Sequence, residues 1–273
     1  MVHAIAVLMS LGLLFGAGLA FASRVLAVKR DERIEMIEEV LPGGNCGGCG
    51  FAGCTAFSEA LVHGEAGPQD CPVGGAGMWQ HIAHILGQDV EMSDERDVAI
   101  VRCRGTEEAA AERFQYVGEP DCDAAHAVAG GHKVCEYGCL GLGNCVRVCP
   151  FDAIFMGDDG LPLVDEEKCT ACGNCVEACP RDIIALMPEG LPVYVMCVSH
   201  DGPRESRKAC KNACIACGLC VRKFPDSYTL EDNLARIDYE NCEGCEGAIE
   251  VCPTGALQPP RGAVSSIEEE AGS

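Results

Sequence analysis

Cysteines stand in this chain at intervals that few folds can use. Cys169, Cys172, Cys175 and Cys179 follow a C-x2-C-x2-C-x3-C spacing, with Pro180 next. Three thiolates this close wrap one face of an iron–sulfur cubane, while the fourth, turned aside before proline, ligates a neighbouring one. Such a pattern calls for small loops wound around metal rather than one large apolar core. Composition agrees, with 22 cysteines and 33 glycines but only 5% aromatics. Small units fold with little core when metal staples them. A disulfide scaffold also uses an even cysteine count, and structural zinc also uses C-x2-C pairs. A cysteine triplet ending in C-x3-C-P suits neither.

From Cys135 onward the pattern repeats. The segments GCLGLGNCVRVCPFDAI and KCTACGNCVEACPRDII make one two-cluster, bacterial-ferredoxin-like unit over residues 133–190. The segments ACIACGLCVRKFPDSYTL and NCEGCEGAIEVCPTGAL make a second over residues 191–258. Within each unit a turn joins two short strand-like runs, IFMGDDGLPLVD and YTLEDNLARID. In the first unit the middle cysteine of the leading triplet is replaced by Leu142, and Cys135, four residues before Cys139, is the substitute. Cross-pairing then assigns Cys135, Cys139, Cys145 and Cys179 to one cluster. Cys149, Cys169, Cys172 and Cys175 take the other. The second unit keeps one full set, Cys214, Cys217, Cys220 and Cys252, for which Cys210 competes with Cys217. Its partner site has Phe224 and Ala248 where thiolates are needed, so no cluster is expected there, unless Cys197 or Cys210 rescues it.

Upstream, LPGGNCGGCGFAGC and Cys71-Pro72 give the spacing Cys46-x2-Cys49-x4-Cys54-x16-Cys71. Three close thiols and a fourth beyond a helix enclose one cluster, and the glycines let backbone amides approach it. Helices are predicted over 31–41, 55–64, 78–86 and 107–114, and this four-cysteine module occupies residues 29–88. Residues 89–132 read as an acidic linker with helical segments. Cys103 and Cys122 stand alone there, as isolated cysteines that are small buried hydrophobes do. With Cys197, Cys210, Cys242 and Cys245 they are left over. The tail, 259–273, has the composition of disordered chain.

Residues 4–22 carry no charge. A run of about twenty such residues suits a membrane-spanning helix, and the anchor is placed at 1–28. Arg24, Lys29 and Arg30 follow it while His3 alone precedes it, which puts the rest of the chain on the cytoplasmic side of the plasma membrane. The fold class is therefore α+β: an N-terminal transmembrane helix, a small α-helical iron–sulfur module, and two tandem ferredoxin-like units with four [4Fe-4S] clusters. A net charge of −22 argues against nucleic-acid binding. Against that background Arg204, Arg207, Lys208, Lys211, Arg222 and Lys223, with Glu205 the one acid between Pro203 and Phe224, form a basic run suited to an acidic electron carrier.

In its order of modules the chain resembles the B subunit of the Rnf complex. The resemblance rests on the apolar N-terminal helix, LPGGNCGGCGFAGC with Cys71-Pro72, GGHKVCEYGCLGLGNCVRVCPFDAI and the second ferredoxin unit, and reaches to about Pro253. It implies an electron-relay subunit that takes electrons from soluble ferredoxin and passes them to membrane subunits of an NAD oxidoreductase that moves Na⁺ or H⁺. Flavin and NAD sites belong to other subunits in that family, and no G-x-G-x-x-G follows a strand here. A polyferredoxin of another membrane enzyme, such as a hydrogenase, is the alternative reading.

Overall fold

A recurring local device sets the fold. Gly143, Gly173 and Gly218 each adopt a left-handed conformation (φ 76°, 83° and 66°), and each is followed by one short helix that carries a cysteine: α6 (Asn144–Arg147), α7 (Asn174–Glu177) and α9 (Leu219–Lys223). Glycine enters that region without Cβ strain, so the chain can turn sharply between two cysteines. The computed structural model describes residues 2–25, 30–88 and 96–259, and backbone alone at 2–4, 6–8 and 25.

The first helix, α1 (Val2–Val25), is apolar, and Leu13, Leu14, Phe15, Leu19 and Phe21 are exposed. Its continuously described side chains run from Met9 to Arg24, and among the described residues no helix is long and apolar enough to cross a membrane. The transmembrane helix expected over 1–28 is thus a helix in the expected place without a described span. Residues 1 and 26–29 lie outside the described part, as does 260–273 of the tail.

The N-terminal module is helical, as expected. The Asp31 carboxylate accepts the Arg33 amide hydrogen and caps α2 (Glu32–Val40). Ile34 and Ile37, one helical turn apart, face inward. Ile37, Leu41, Phe57, Leu61 and Ile82 form a small core joining α2 to α3 (Cys54–His63) and α4 (Gly75–Leu86). Each such side chain contributes about 1.5–3 kcal/mol on burial, so the core is modest. His81 and His84 lie on the exposed face of α4.

Each ferredoxin unit is built from two antiparallel strand pairs. In the first, β1 (Asp97–Val101) pairs with β4 (Ile184–Pro188), and β2 (Ile154–Met156) with β3 (Pro162–Val164). In the second, β5 (Tyr194–Val195) pairs with β8 (Leu257–Gln258), and β6 (Tyr228–Glu231) with β7 (Leu234–Ile237). The hairpins are those expected from the turn residues. Each unit has its own core, one around Ile154, Leu161 and Ile183, the other around Val193, Tyr228 and Leu257.

The reading of 89–132 as a linker is corrected. Residues 97–101 supply the first strand of the first unit, with Asp97 opposite Pro188 and Val101 opposite Ile184, and α5 (Cys122–Ala127) follows further on. The helix predicted over 107–114 does not form. Its amides and carbonyls go elsewhere: Ala111 donates to Ala209, Lys211 donates to Ala109, and Val134 donates to Ala111. The segment is an extended strap tying the two units together, and that long-range pairing outweighs the helical propensity of its alanines. Residues 89–95 lie outside the described part.

Candidate iron–sulfur centres

Among the described residues, cavities lined by four cysteines each occur at four places. Site I is closed by Cys46, Cys49, Cys54 and Cys71, the set expected from sequence. Asn45 holds its entrance, its side-chain oxygen accepting the Cys54 amide hydrogen at 2.8 Å. Site IV is closed by Cys214, Cys217, Cys220 and Cys252, again as expected. Cys210 is not among them; it lines a different cavity. Cys217 is also exposed, which leaves site IV open to the surface.

Site II differs from expectation. Its cysteines are Cys122, Cys139, Cys145 and Cys179, and Cys135 is absent. Cys122 arrives from the start of α5. Asn144 takes the Cys122 amide hydrogen at 2.8 Å and donates to both Asp121 and Asp123 at 3.0 Å, while Arg147 pairs with Asp121. These bonds clamp the incoming loop onto α6. Ile183 and Ile184 line the same cavity, where apolar side chains keep water out. At site III, Cys175 lies near Cys169, Cys172 and Cys149, the expected set, and also near Cys145 of site II, and the Ala99 amide donates to Cys169 Sγ at 3.4 Å.

The fourth cavity is formed by Cys103, Cys135, Cys197 and Cys210, all but one of them left over by sequence counting. Counting its mouth, its volume is about 360 Å³, against 360, 380 and 390 Å³ at sites I, II and IV. Cys242 and Cys245, the last two leftovers, are joined as a disulfide. Where the second unit lacks ligands, Phe224 packs with Ala248 and Tyr228, and the Tyr228 hydroxyl donates to the Cys245 carbonyl at 3.0 Å.

The thiol environments fit iron–sulfur clusters. Burial pushes Cys139, Cys175 and Cys197 up to about 12 and Cys145 up to about 11. A neutral buried thiol must lose its proton to bind iron, and backbone amides aimed at sulfur favour the thiolate. Val73 and Gly74 donate to Cys71, Gly141 to Cys139, and Asn174 to Cys172. The cysteines surround a cavity instead of closing on a point. Among the described residues no three His, Cys, Asp or Glu side chains gather to hold a single ion.

Site I is docked on site III. Asn174, on α7, donates to the Cys46 carbonyl at 3.1 Å, and Gly48 lies against the Cys172 backbone. Asn144 and Asn174 hold equivalent places in the repeat, and each captures a loop that brings a cysteine.

Comparison with known proteins accords with this geometry. Residues 41–73, which carry site I, match the family model described as "Putative Fe-S cluster", and residues 162–185 match the 4Fe-4S binding domain. The B subunit of the Na(+)-translocating ferredoxin:NAD(+) oxidoreductase complex of Acetobacterium woodii is 48% identical over 247 residues, 90% of this chain and 74% of that protein. The chain belongs to the B subunits of ion-translocating oxidoreductase (Rnf) complexes. The B subunit of the ion-translocating oxidoreductase complex of Methanosarcina acetivorans is 40% identical over 94% of this chain and 98% of its own length. That of the proton-translocating ferredoxin:NAD(+) oxidoreductase complex of Clostridium ljungdahlii is 42% identical over 91% and 88%. This protein is accordingly an iron–sulfur electron-transfer subunit of an ion-translocating oxidoreductase.

Proposed function

We propose that this Rnf protein accepts electrons from reduced ferredoxin at its second unit and delivers them toward membrane subunits near its N-terminal module. The observation that carries the reading is the row of four-thiol sites running from the exposed Cys217 to Cys46. Cys46, Cys49, Cys54 and Cys71 would hold one [4Fe-4S] cluster; Cys122, Cys139, Cys145 and Cys179 a second; Cys149, Cys169, Cys172 and Cys175 a third; Cys214, Cys217, Cys220 and Cys252 a fourth. Bound there, such clusters supply reversible one-electron redox chemistry. The chain's own residues deprotonate at sulfur, aim amides at it, and exclude water with Ile154, Ile183 and Ile184.

Arg204, Arg207, Lys208, Lys211 and Arg222 are exposed and make no ion pair among the described residues, while Lys223 pairs with Glu250. Five unpaired cations beside an exposed cluster ligand are suited to steer an acidic ferredoxin. At the other end lies the apolar α1. Its uncharged residues 4–22 and exposed leucines support a bilayer anchor, with the clusters on the cytoplasmic side. NAD and the moved ion, Na⁺ or H⁺, are handled by partner subunits.

Stopped-flow mixing of the anaerobically purified chain with reduced ferredoxin tests the reading. Rapid bleaching of the iron–sulfur absorbance that slows with salt is expected; no electron uptake would refute it.

A further inference from the structure

The two ferredoxin units are copies, and the fourth cavity lies where they meet. Cys103 stands two residues after β1, and Cys197 two residues after β5, in V-x-C in both cases. Cys135 stands four residues before Cys139, and Cys210 four before Cys214. Each unit therefore contributes the same two cysteines. Their hydrogen bonds repeat as well. Cys103 Sγ accepts from the amides of Gly105 (3.3 Å) and Cys139 (3.4 Å); Cys197 Sγ accepts from those of Ser199 and Cys214. Cys135 accepts from Tyr137 and Gly138, and Cys210 from Asn212 and Ala213. Unused structural cysteines have no reason to collect two amide hydrogens each, in matched pairs, around a common cavity. Thiolates bonded to iron do.

Charge leads to the same conclusion. Lys133 is 4% exposed, and its ammonium donates to the Gly105 carbonyl at 2.9 Å, at the wall of the cavity. Among the described residues no carboxylate pairs with it. Arg102 also lines the cavity, and its Nε is buried without a partner. A buried lysine and a half-buried arginine that face one cavity without a carboxylate partner are costly to keep charged. An anionic group inside the cavity would balance them. Gly105 sits against the cavity: a Cβ there would lie 3.3 Å from Ala110 Cβ, 3.5 Å from Cys103 Sγ and 3.8 Å from Cys210 Sγ.

We infer that Cys103, Cys135, Cys197 and Cys210 bind a fifth [4Fe-4S] cluster at the junction of the two ferredoxin units. The inference rests on the iron–sulfur reading of the other sites. It explains why the second unit could lose a site without breaking the row. Cys139, a site II ligand, donates its amide to Cys103, and Cys214, a site IV ligand, donates its amide to Cys197. The bridging site touches both neighbours through equivalent bonds. The thiol groups then stand in the order I, III, II, bridging, IV. All 20 free cysteines are accounted for in these five groups, and the remaining two form the disulfide.

The test is iron and acid-labile sulfide per full-length chain, purified without oxygen, with EPR of the reduced protein. Five cubanes give about twenty irons with equal sulfide. Cys103→Ser and Cys210→Ser should each remove about four irons and the same EPR signal. Cys122→Ser should remove a different signal, and Cys242→Ser none. Cys135→Ser is decisive, because it should erase the signal lost with Cys103 and keep the one lost with Cys122. If a serine variant fails to fold, the wild-type count still decides. About sixteen irons, with no EPR signal assignable to Cys103 or Cys210, would overturn the bridging cluster and leave the relay reading intact. Absence of sulfide would overturn both.

Discussion

Gly48→Ala is expected to loosen the contact between site I and site III without emptying either. A Cβ at residue 48 would lie 2.5 Å from the Cys172 carbonyl oxygen and 3.2 Å from its carbonyl carbon and Cα. The obstacle is backbone, so no rotamer change relieves it. Forcing an extra methyl into such a contact costs about 1–3 kcal/mol, which lowers the docked population roughly 5- to 150-fold relative to undocked states. The thiols of each site come from their own module, so iron content should stay at the wild-type level. Hydrogen exchange at residues 46–49 and 172–174 should accelerate, and magnetic coupling between the two reduced clusters should weaken. Gly77→Ala is the control: no atom lies within 4 Å of its Cβ position in α4, and alanine there gains helix propensity. Unchanged exchange in Gly48→Ala, or loss of iron from both sites, would refute the docking argument.

Three further outcomes are expected. Asn144→Ala should lower occupancy of site II while sparing site III, because it frees the Cys122 loop of about three hydrogen bonds worth about 1 kcal/mol each; equal loss at both sites by EPR would contradict this. Lys208→Glu with Lys211→Glu should slow reduction by ferredoxin at low salt and converge on wild type at high salt, where screening removes steering; a rate unchanged across ionic strength would remove the docking role. Tyr228→Ala should destabilise the second unit by about 3–5 kcal/mol, since its ring is buried and its hydroxyl bonds Cys245, as read by denaturant unfolding of the cluster-loaded chain.

The thiols that gather at sites I, III and IV were legible because they follow local spacings: three close together on one loop, with the fourth beyond a helix at site I and placed by the ferredoxin repeat at sites III and IV. The hairpins and the helices of the N-terminal module were legible for the same reason, through turn residues and a 3.6-residue period. What failed was the missing thiol at Leu142. The nearest cysteine in sequence, Cys135, was the natural substitute, yet the structure delivers Cys122 through a loop clamped by Asn144. Nothing in the local pattern around Cys122 signals that contact. The bridging site did leave a signal, the paired V-x-C at Cys103 and Cys197 and the paired cysteines at 135 and 210. It was hidden because its ligands lie up to 107 residues apart along the chain and come together only across the unit interface. The strap over 109–113 escaped for a related reason: its backbone partners, Ala209, His132 and Val134, are long-range.

The most direct test of the account is native mass spectrometry of the intact chain, kept anaerobic. The account predicts a highest-mass species that carries five [4Fe-4S] clusters. A ladder that ends at zinc adducts, or a chain with no bound iron and sulfide, would contradict it.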